Sequence, residues 1–212
     1  TLHNFGTKTL KQMEDDLSLF AGYRPMELIL PSLYSELEGS ALKEIVRNIS
    51  KVKYLNHIII GLDKADRDQY EYAYSFFKEL NQPFSLLWND GPRMKAISQM
   101  LEEKGLAPME PGKGQNVWYC IGYVNARAKA DAVALHDCDI LTYDRMLLAR
   151  LFYPISNPNY QFEFCKGYYA RISDNKMNGR ACRLLVSPLL LAMEQVLGHS
   201  DYLNFMKSFR YP

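Results

Sequence analysis

Two aspartates separated by one residue, Asp137 and Asp139, are the side chains of this sequence best suited to chemistry. They directly follow Ala132–Leu135, an apolar run typical of a buried strand. Alternate residues leaving a strand point to the same side, so the two carboxylates can converge on one site. Such oxygen ligands suit Mg²⁺ or Mn²⁺, which often complete their shells with substrate phosphates. Alternatively, one aspartate caps the next helix and the other faces solvent, but placement at the end of a buried strand favours the metal site.

A glycine–lysine–glycine segment, Gly112 to Gly114, precedes a predicted helix. Glycine lets the backbone approach an anion closely, a helix N-terminus offers free N–H groups, and Lys113 adds a positive charge. The Walker A pattern is absent, so this is not a P-loop. An ordinary turn is the better interpretation of these three residues taken alone.

Four basic residues surround the polar stretch 173–179: Lys166, Arg171, Arg180 and Arg183. Gly179 and Arg180 open a predicted helix, whose N-terminus together with a guanidinium can bind a phosphate or a carboxylate. A solvated basic hairpin explains the same residues equally well. No G-x-S-x-G segment points to a serine nucleophile.

Composition narrows the class of protein. The 212 residues are 48% hydrophobic and 23% charged, which predicts a folded chain with a real core. The net charge of +1 gives no global reason to bind nucleic acid or an anionic membrane. The four cysteines show no C-x-x-C pairing, and no apolar run reaches 18 residues. We therefore expect a cytoplasmic protein with reduced thiols and no membrane partner.

Hydrophobic periodicity supplies the elements that must position these groups. It predicts helices over 9–21, 40–52, 67–80, 93–104, 116–129, 143–152 and 180–197, and strands over 26–30, 55–62, 84–88, 132–135 and 161–172. Pro31 is predicted to end the first strand. This alternation indicates an α/β fold with a mostly parallel sheet and helices on both faces. Ligands bind at the carboxyl ends of such strands, here residues 31–36, 61–63, 89–90 and 136–139.

The order of these motifs is more specific than each motif alone. A P-S-L-Y-S-E segment (31–36) ends the first strand, the G-K-G segment opens a helix, and D-C-D (137–139) ends a later strand. K-G-Y-Y-A-R (166–171) and N-G-R-A-C-R-L-L-V-S-P-L-L (178–190) follow. This series resembles the glucosyl-3-phosphoglycerate synthase family of retaining glycosyltransferases, which have a GT-A fold. The resemblance covers about residues 26–212 and leaves 1–25 as an N-terminal helical extension.

The resemblance implies transfer of a hexose, expected to be glucose, with Mg²⁺ or Mn²⁺ assisting. The donor is a UDP- or GDP-hexose, the acceptor is the 2-hydroxyl of 3-phosphoglycerate or a related molecule, and the anomeric configuration is retained. The product class is a compatible solute, and a homodimer is expected. The family's donor-binding residues fall on Pro31, Ser32, Leu33, Glu36, Asp63, Lys113 and Asp137. The catalytic set is Asp137, Asp139 and Lys113, with Asp139 on the metal, and the acceptor-binding set is Gly179, Arg180 and Lys166.

The sequence departs from the family pattern at Tyr34, where the family has Asn, and at Cys182, where it has Thr. The family also continues beyond the length of this chain, so we expect a C-terminal segment to be missing and this piece to be inactive alone. Two other functions stay open. A sugar nucleotidyltransferase would carry Arg or Lys after the first strand, and residues 31–39 contain neither. A non-catalytic nucleotide-sugar-binding module would bind the donor without turnover.

Overall fold

Four parallel strands form the central sheet of the computed structural model, which describes residues 8–108, 110–167, 172–173, 176–177, 182–198 and 200–208. The strands are β1 (Met26–Leu33), β2 (Leu55–Asp63), β3 (Phe84–Trp88) and β4 (Ala132–Leu135), in the order β3-β2-β1-β4. The helices of the same unit are α1 (Leu10–Phe20), α2 (Ser40–Ile49), α3 (Arg67–Phe77), α4 (Pro92–Glu102), α5 (Lys113–Arg127) and α6 (Arg145–Ser156). A 3-10 helix, Tyr34–Glu38, follows β1.

Helices cover both faces of this sheet. Residues such as Leu28, Leu30 and Ile58 point to the face covered by α1, α2, α3 and α6, where the larger hydrophobic core lies. Ile29 and Ile59 point to the opposite face, where α5 supplies the buried Cys120 and Val124. The α/β architecture with a parallel sheet and two helical layers is therefore confirmed.

The predicted end of the first strand at Pro31 is wrong, because β1 continues to Leu33 with Pro31 opposite Gly61 of β2. The pairing of β4 with β1 stops at Ile29 and Leu135. At position 31 the strand therefore has a neighbour on one side only. A residue without an N–H group is tolerated there as it is on an edge strand.

Two further predicted boundaries are wrong. The helix predicted over 143–152 runs to Ser156 and contains Pro154 in its last turn, where the buried side chains of Phe152 and Tyr153 hold it to the core. The strand predicted over 161–172 does not form across residues 161–167, since this stretch has no partner strand among the described residues. An alternation of apolar and polar residues does not make a strand when no neighbouring strand accepts and donates the backbone hydrogen bonds.

Residues 166–212 form a second compact unit, as residues 1–165 form the first. Its described part holds an antiparallel pair, β5 (Ile172–Ser173) and β6 (Lys176–Met177), and a π-helical segment, Cys182–Val186. Helices α7 (Ser187–Leu197) and α8 (Asp201–Ser208) pack together and bury Leu190 and Leu203. The predicted division into residues 1–25 and 26–212 stays a prediction. No helix in the described part of the chain is long and apolar enough to cross a membrane.

Candidate functional site

Asp63 is the last residue of β2, and two asparagine side chains hold its carboxylate. The Oδ1 atom accepts a hydrogen bond from Asn89 Nδ2 at 2.7 Å, and the Oδ2 atom accepts one from Asn116 Nδ2 at 2.9 Å. Asn89 directly follows β3, whereas Asn116 lies in the first turn of α5. Sequence analysis placed Asn89 at this edge without a role and missed Asn116 altogether, since no local pattern marks either contact.

Asn116 also fixes the first turn of α5 to the sheet. Its Nδ2 atom donates a second hydrogen bond, to the carbonyl oxygen of Gly61 at 2.9 Å, and the residue is only 2% exposed. A Cβ atom at position 61 would lie 1.8 Å from Asn116 Oδ1, so only glycine leaves room for this amide. The close packing of α5 on β2 thus depends on both residues.

The segment after β1 contributes Glu36, whose Oε2 atom accepts a hydrogen bond from the Leu33 backbone N–H at 2.9 Å. This bond closes the first turn of the 3-10 helix. Pro31 and Ser32 are buried in β1, and the Ser32 hydroxyl donates to the Leu33 carbonyl at 3.1 Å. Of the four residues assigned to the donor in this segment, Leu33 and Glu36 are the partly exposed ones.

Lys113 and Asp137 form an ion pair between Nζ and Oδ1 that joins α5 to the loop after β4. Their side chains are 55% and 36% exposed, so both atoms can be reached from solvent. Lys113 is the first residue of α5, three residues before the predicted start, and it follows Gly112 with a φ of +140°. That backbone conformation favours glycine. The G-K-G segment therefore places a cation beside the D-C-D segment.

Cys138 separates the two aspartates and is only 1% exposed, whereas Asp139 is exposed. Burial raises the pKa of the Cys138 thiol far above its ordinary value, so it stays protonated. His136 is also buried, its Nδ1–H donates to the Asp137 carbonyl at 3.0 Å, and its ring lies 4.9 Å from that of Tyr143. These buried neighbours fix the backbone that carries Asp137 and Asp139.

The donor set of this loop fits a divalent cation that shares its shell with a ligand. Asp137 and Asp139 offer hard carboxylate oxygens at an exposed edge, as Mg²⁺ and Mn²⁺ require. Within the described residues no group of three or more His, Cys, Asp or Glu side chains could hold a metal ion. Waters or phosphate oxygens must then supply the remaining ligands.

The first turn of α5 connects the two carboxylates of the candidate site, Asp63 and Asp137. Lys113 and Asn116, both in the first turn of α5, contact Asp137 after β4 and Asp63 at the end of β2. Since β1 lies between β2 and β4, this turn spans two inter-strand spacings, about 10 Å. Of the predicted acceptor residues, Lys166 is exposed, and Gly179 and Arg180 lie outside the described residues.

No protein-family model matches the chain. It is 43% identical to the glucosyl-3-phosphoglycerate synthase of Persephonella marina over 211 residues, which are 100% of this chain and 52% of that protein. The enzyme of the same name from Methanococcoides burtonii is 39% identical over 191 residues, 89% of this chain and 46% of the relative. This chain is a relative of the glucosyl-3-phosphoglycerate synthases. The resemblance predicted from the motifs is confirmed, and the chain spans about half the length of these synthases.

Solved structures of a synthase from Mycobacterium tuberculosis share the fold. One, a complex with Mn²⁺, UDP-glucose and phosphoglyceric acid, is 20% identical with a TM-score of 0.56, over 93% of this chain and 58% of that one. Another, with phosphoglyceric acid, is 19% identical with a TM-score of 0.55, over 92% of this chain and 58% of that one. The GT-A fold predicted for the chain is therefore confirmed.

Proposed function

We propose that this chain forms the nucleotide-sugar site of a glucosyltransferase that moves glucose from UDP-glucose to the 2-hydroxyl of 3-phosphoglycerate, with retained configuration. The observation that carries the proposal is the first turn of α5, which joins Asp63 to Asp137 at the carboxyl edge of a GT-A sheet. Relatives at 43% and 39% identity carry this activity in their names, and the M. tuberculosis structure binds UDP-glucose, Mn²⁺ and phosphoglyceric acid.

The donor residues divide by the part of UDP-glucose that each would contact. Asp63 accepts hydrogen bonds only, so it suits the hydroxyl and N–H donors of a nucleoside. Glu36 closes the turn that carries Leu33 and thereby presents that segment to the nucleoside. Lys113 supplies a positive charge for the diphosphate, and Asp137 lies between the ribose and the metal.

Cleavage of the bond between glucose and diphosphate builds negative charge on the departing phosphate. A Mg²⁺ or Mn²⁺ ion held by Asp139, with Asp137, would stabilise that charge as a Lewis acid when bound. Lys113 would stabilise the same charge from the start of α5 once its ammonium exchanges the Asp137 carboxylate for the phosphate. With retained configuration, the departing phosphate can itself accept the proton of the acceptor hydroxyl, so the route needs no protein nucleophile.

The acceptor has a phosphate and a carboxylate, and both need cationic partners. We assign these to Lys166, Gly179 and Arg180 in the second unit. A guanidinium binds either group through two parallel hydrogen bonds, and a glycine lets an anion approach its backbone closely.

Calorimetric titration of UDP-glucose and GDP-mannose, with and without Mn²⁺, tests the donor site. We expect metal-dependent binding of UDP-glucose, and Asp139→Asn should remove the metal-dependent part of its affinity. Asp131→Asn is the matched control, because it makes the same change of charge before β4, on an exposed residue. Unchanged metal dependence in Asp139→Asn would remove this carboxylate from the site.

A glucose-transfer assay with 3-phosphoglycerate then separates an enzyme from a binding module. The module is a real second candidate because the chain spans about half the length of its relatives. Donor binding with formation of glucosyl-3-phosphoglycerate supports the enzyme. Donor binding without product identifies this chain as the binding part alone.

A further inference from the structure

We propose that Asn116 and Asn89 are positioning residues that hold the Asp63 carboxylate in a single orientation for the nucleoside of the donor. The inference rests on the proposed function and goes beyond it by assigning roles to two asparagines. Both act through Asp63, and neither is assigned a contact with the nucleotide.

The geometry at Asn116 leaves its amide no second arrangement. Both hydrogens of Nδ2 are used, one by the Gly61 carbonyl and one by Asp63, each at 2.9 Å. The amide oxygen faces the Cys120 thiol at 3.5 Å, and burial raises the pKa of that thiol to about 12, so it remains a donor. Exchange of the amide oxygen and nitrogen would set oxygen against two acceptors. The orientation of Asn116 is therefore fixed by its partners.

The Asp63 carboxylate is held from two sides by elements that are far apart in sequence. Asn89 contacts Oδ1 from the end of β3, and Asn116 contacts Oδ2 from α5. A carboxylate has about four lone-pair positions, so two remain for a ligand after these bonds. Fixing the group before the ligand arrives removes an ordering cost from binding. Loss of either amide should therefore weaken nucleoside binding even though Asp63 is unchanged.

The burial of Asn116 strengthens this conclusion. At 2% exposure, water cannot easily replace an amide that is removed, so Asp63 would turn toward a new partner. Asn125, on the exposed side of the same helix, offers a matched control without this contact.

The test is a double-mutant cycle on the affinity of the full chain for UDP in the presence of Mn²⁺. We expect Asn116→Ala to weaken UDP binding about tenfold. In the Asp63→Ala background the same change should have a much smaller effect, because what remains to be lost is the bond of Asn116 to the Gly61 carbonyl. Asn125→Ala should leave UDP affinity unchanged. The affinity for Mn²⁺ without nucleotide should be the same in wild type and Asn116→Ala, a result that general damage to the site would not give.

Two additional variants keep the test decisive. Asn89→Ala repeats the cycle from the other side of the carboxylate and serves if Asn116→Ala does not fold. Asn116→Asp keeps the size of the side chain but replaces a donor with an acceptor, so it should weaken UDP binding more than alanine does. The inference is overturned if the variants that fold keep wild-type affinity for UDP, or if their losses add to that of Asp63→Ala. Failure of the wild-type chain to bind UDP overturns the proposed function as well, and the first titration identifies that case.

Discussion

At the scale of single residues, the ion pair between Lys113 and Asp137 holds two groups that are both assigned to the donor. Each side chain is substantially exposed, and exposed pairs contribute about 0–1 kcal/mol. Such a weak ion pair can be broken when a ligand offers each side chain a new partner. Diphosphate can take Lys113 and a cation can take Asp137 without a large cost, so the pair keeps both charges balanced until the ligands arrive.

Replacement of Lys113 by Met should therefore have opposite effects on the two ligands. UDP-glucose should bind about tenfold more weakly, because a charge-assisted hydrogen bond to the diphosphate is lost. Mn²⁺ alone should bind about two- to fivefold more tightly, because Asp137 no longer has a competing cation. Calorimetric titration with each ligand measures the two affinities. Lys95→Met, on the exposed face of α4, is the control. Weaker binding of both ligands would contradict this account.

A second residue-scale prediction concerns His57, on the face of β2 beneath α5. Its Nε2 atom lies 2.9 Å from Ser85 Oγ, and burial, together with the charges of Arg127 and Lys129, lowers its pKa to about 4. The unfolded chain binds this proton below a pKa of about 6.5, so between pH 6.5 and 4 the unfolded state holds more protons. The contribution of His57 to stability is complete above pH 6.5 and falls as the pH drops toward 4.

Urea unfolding at pH 7 and pH 4.5 measures this contribution. His57 is only 8% exposed, and we expect it to account for about 2–3 kcal/mol of the stability lost on acidification. His57→Gln retains a polar side chain that does not titrate, so the pH dependence should be smaller by that amount. An identical loss in wild type and variant would show that His57 is not responsible.

At the scale of elements, α5 ends in a backbone conformation that alanine does not favour. Ala128 has a φ of +49° and a ψ of +43°, the left-handed conformation usual for glycine after a helix. Its N–H group bonds to the carbonyl oxygens of Val124 and Asn125, which holds the conformation in place. The cost of a side chain in this conformation is about 1 kcal/mol.

Ala128→Gly should therefore raise the free energy of unfolding by about 0.5–1 kcal/mol. The matched control is Ala126→Gly, inside the same helix and also exposed, which should lower the free energy of unfolding by about 1 kcal/mol. Chemical unfolding of the two variants beside wild type gives both numbers. A loss of stability in both would mean that the end of α5 does not adopt this conformation in solution.

Most elements were predictable from periodicity, and the exceptions have physical causes. β2, β3 and β4 show apolar runs bounded by turn residues, and their predicted bounds agree with the structure within one residue. Pro31 misled the prediction because its tolerance depends on how far the neighbouring strand β4 extends. The carboxylates of the candidate site were predictable from where strands end. The amides that hold Asp63 were not, since their contacts depend on where α5 lies over the sheet.

At the scale of the whole molecule, the predicted residues for the two substrates lie in different units. The donor residues, from Pro31 to Asp139, all belong to residues 1–165, and the acceptor residues all belong to residues 166–212. The residues of the two hydrophobic clusters also lie within the first unit. Its core is therefore complete without the second unit, as far as the described residues show.

A chain ending at Cys165 should thus fold cooperatively and keep its affinity for UDP-glucose with Mn²⁺. It should lose affinity for 3-phosphoglycerate, because Lys166, Gly179 and Arg180 are absent. Thermal unfolding and calorimetry on the two chain lengths measure these outcomes. Retained binding of 3-phosphoglycerate by the shorter chain would place the acceptor residues in the first unit instead.

The contact between Gly61 and Asn116 also restricts the order in which this protein can evolve. A Cβ atom at position 61 would lie 1.8 Å from Asn116 Oδ1 and 2.7 Å from Cys120 Sγ, so a substitution there is tolerated only after both side chains have become smaller or moved. A lineage that loses the amide gives up a hydrogen bond of Asp63 and still has the Cys120 thiol in the way of alanine at position 61. Position 61 should therefore be the last of these three positions to change among descendants.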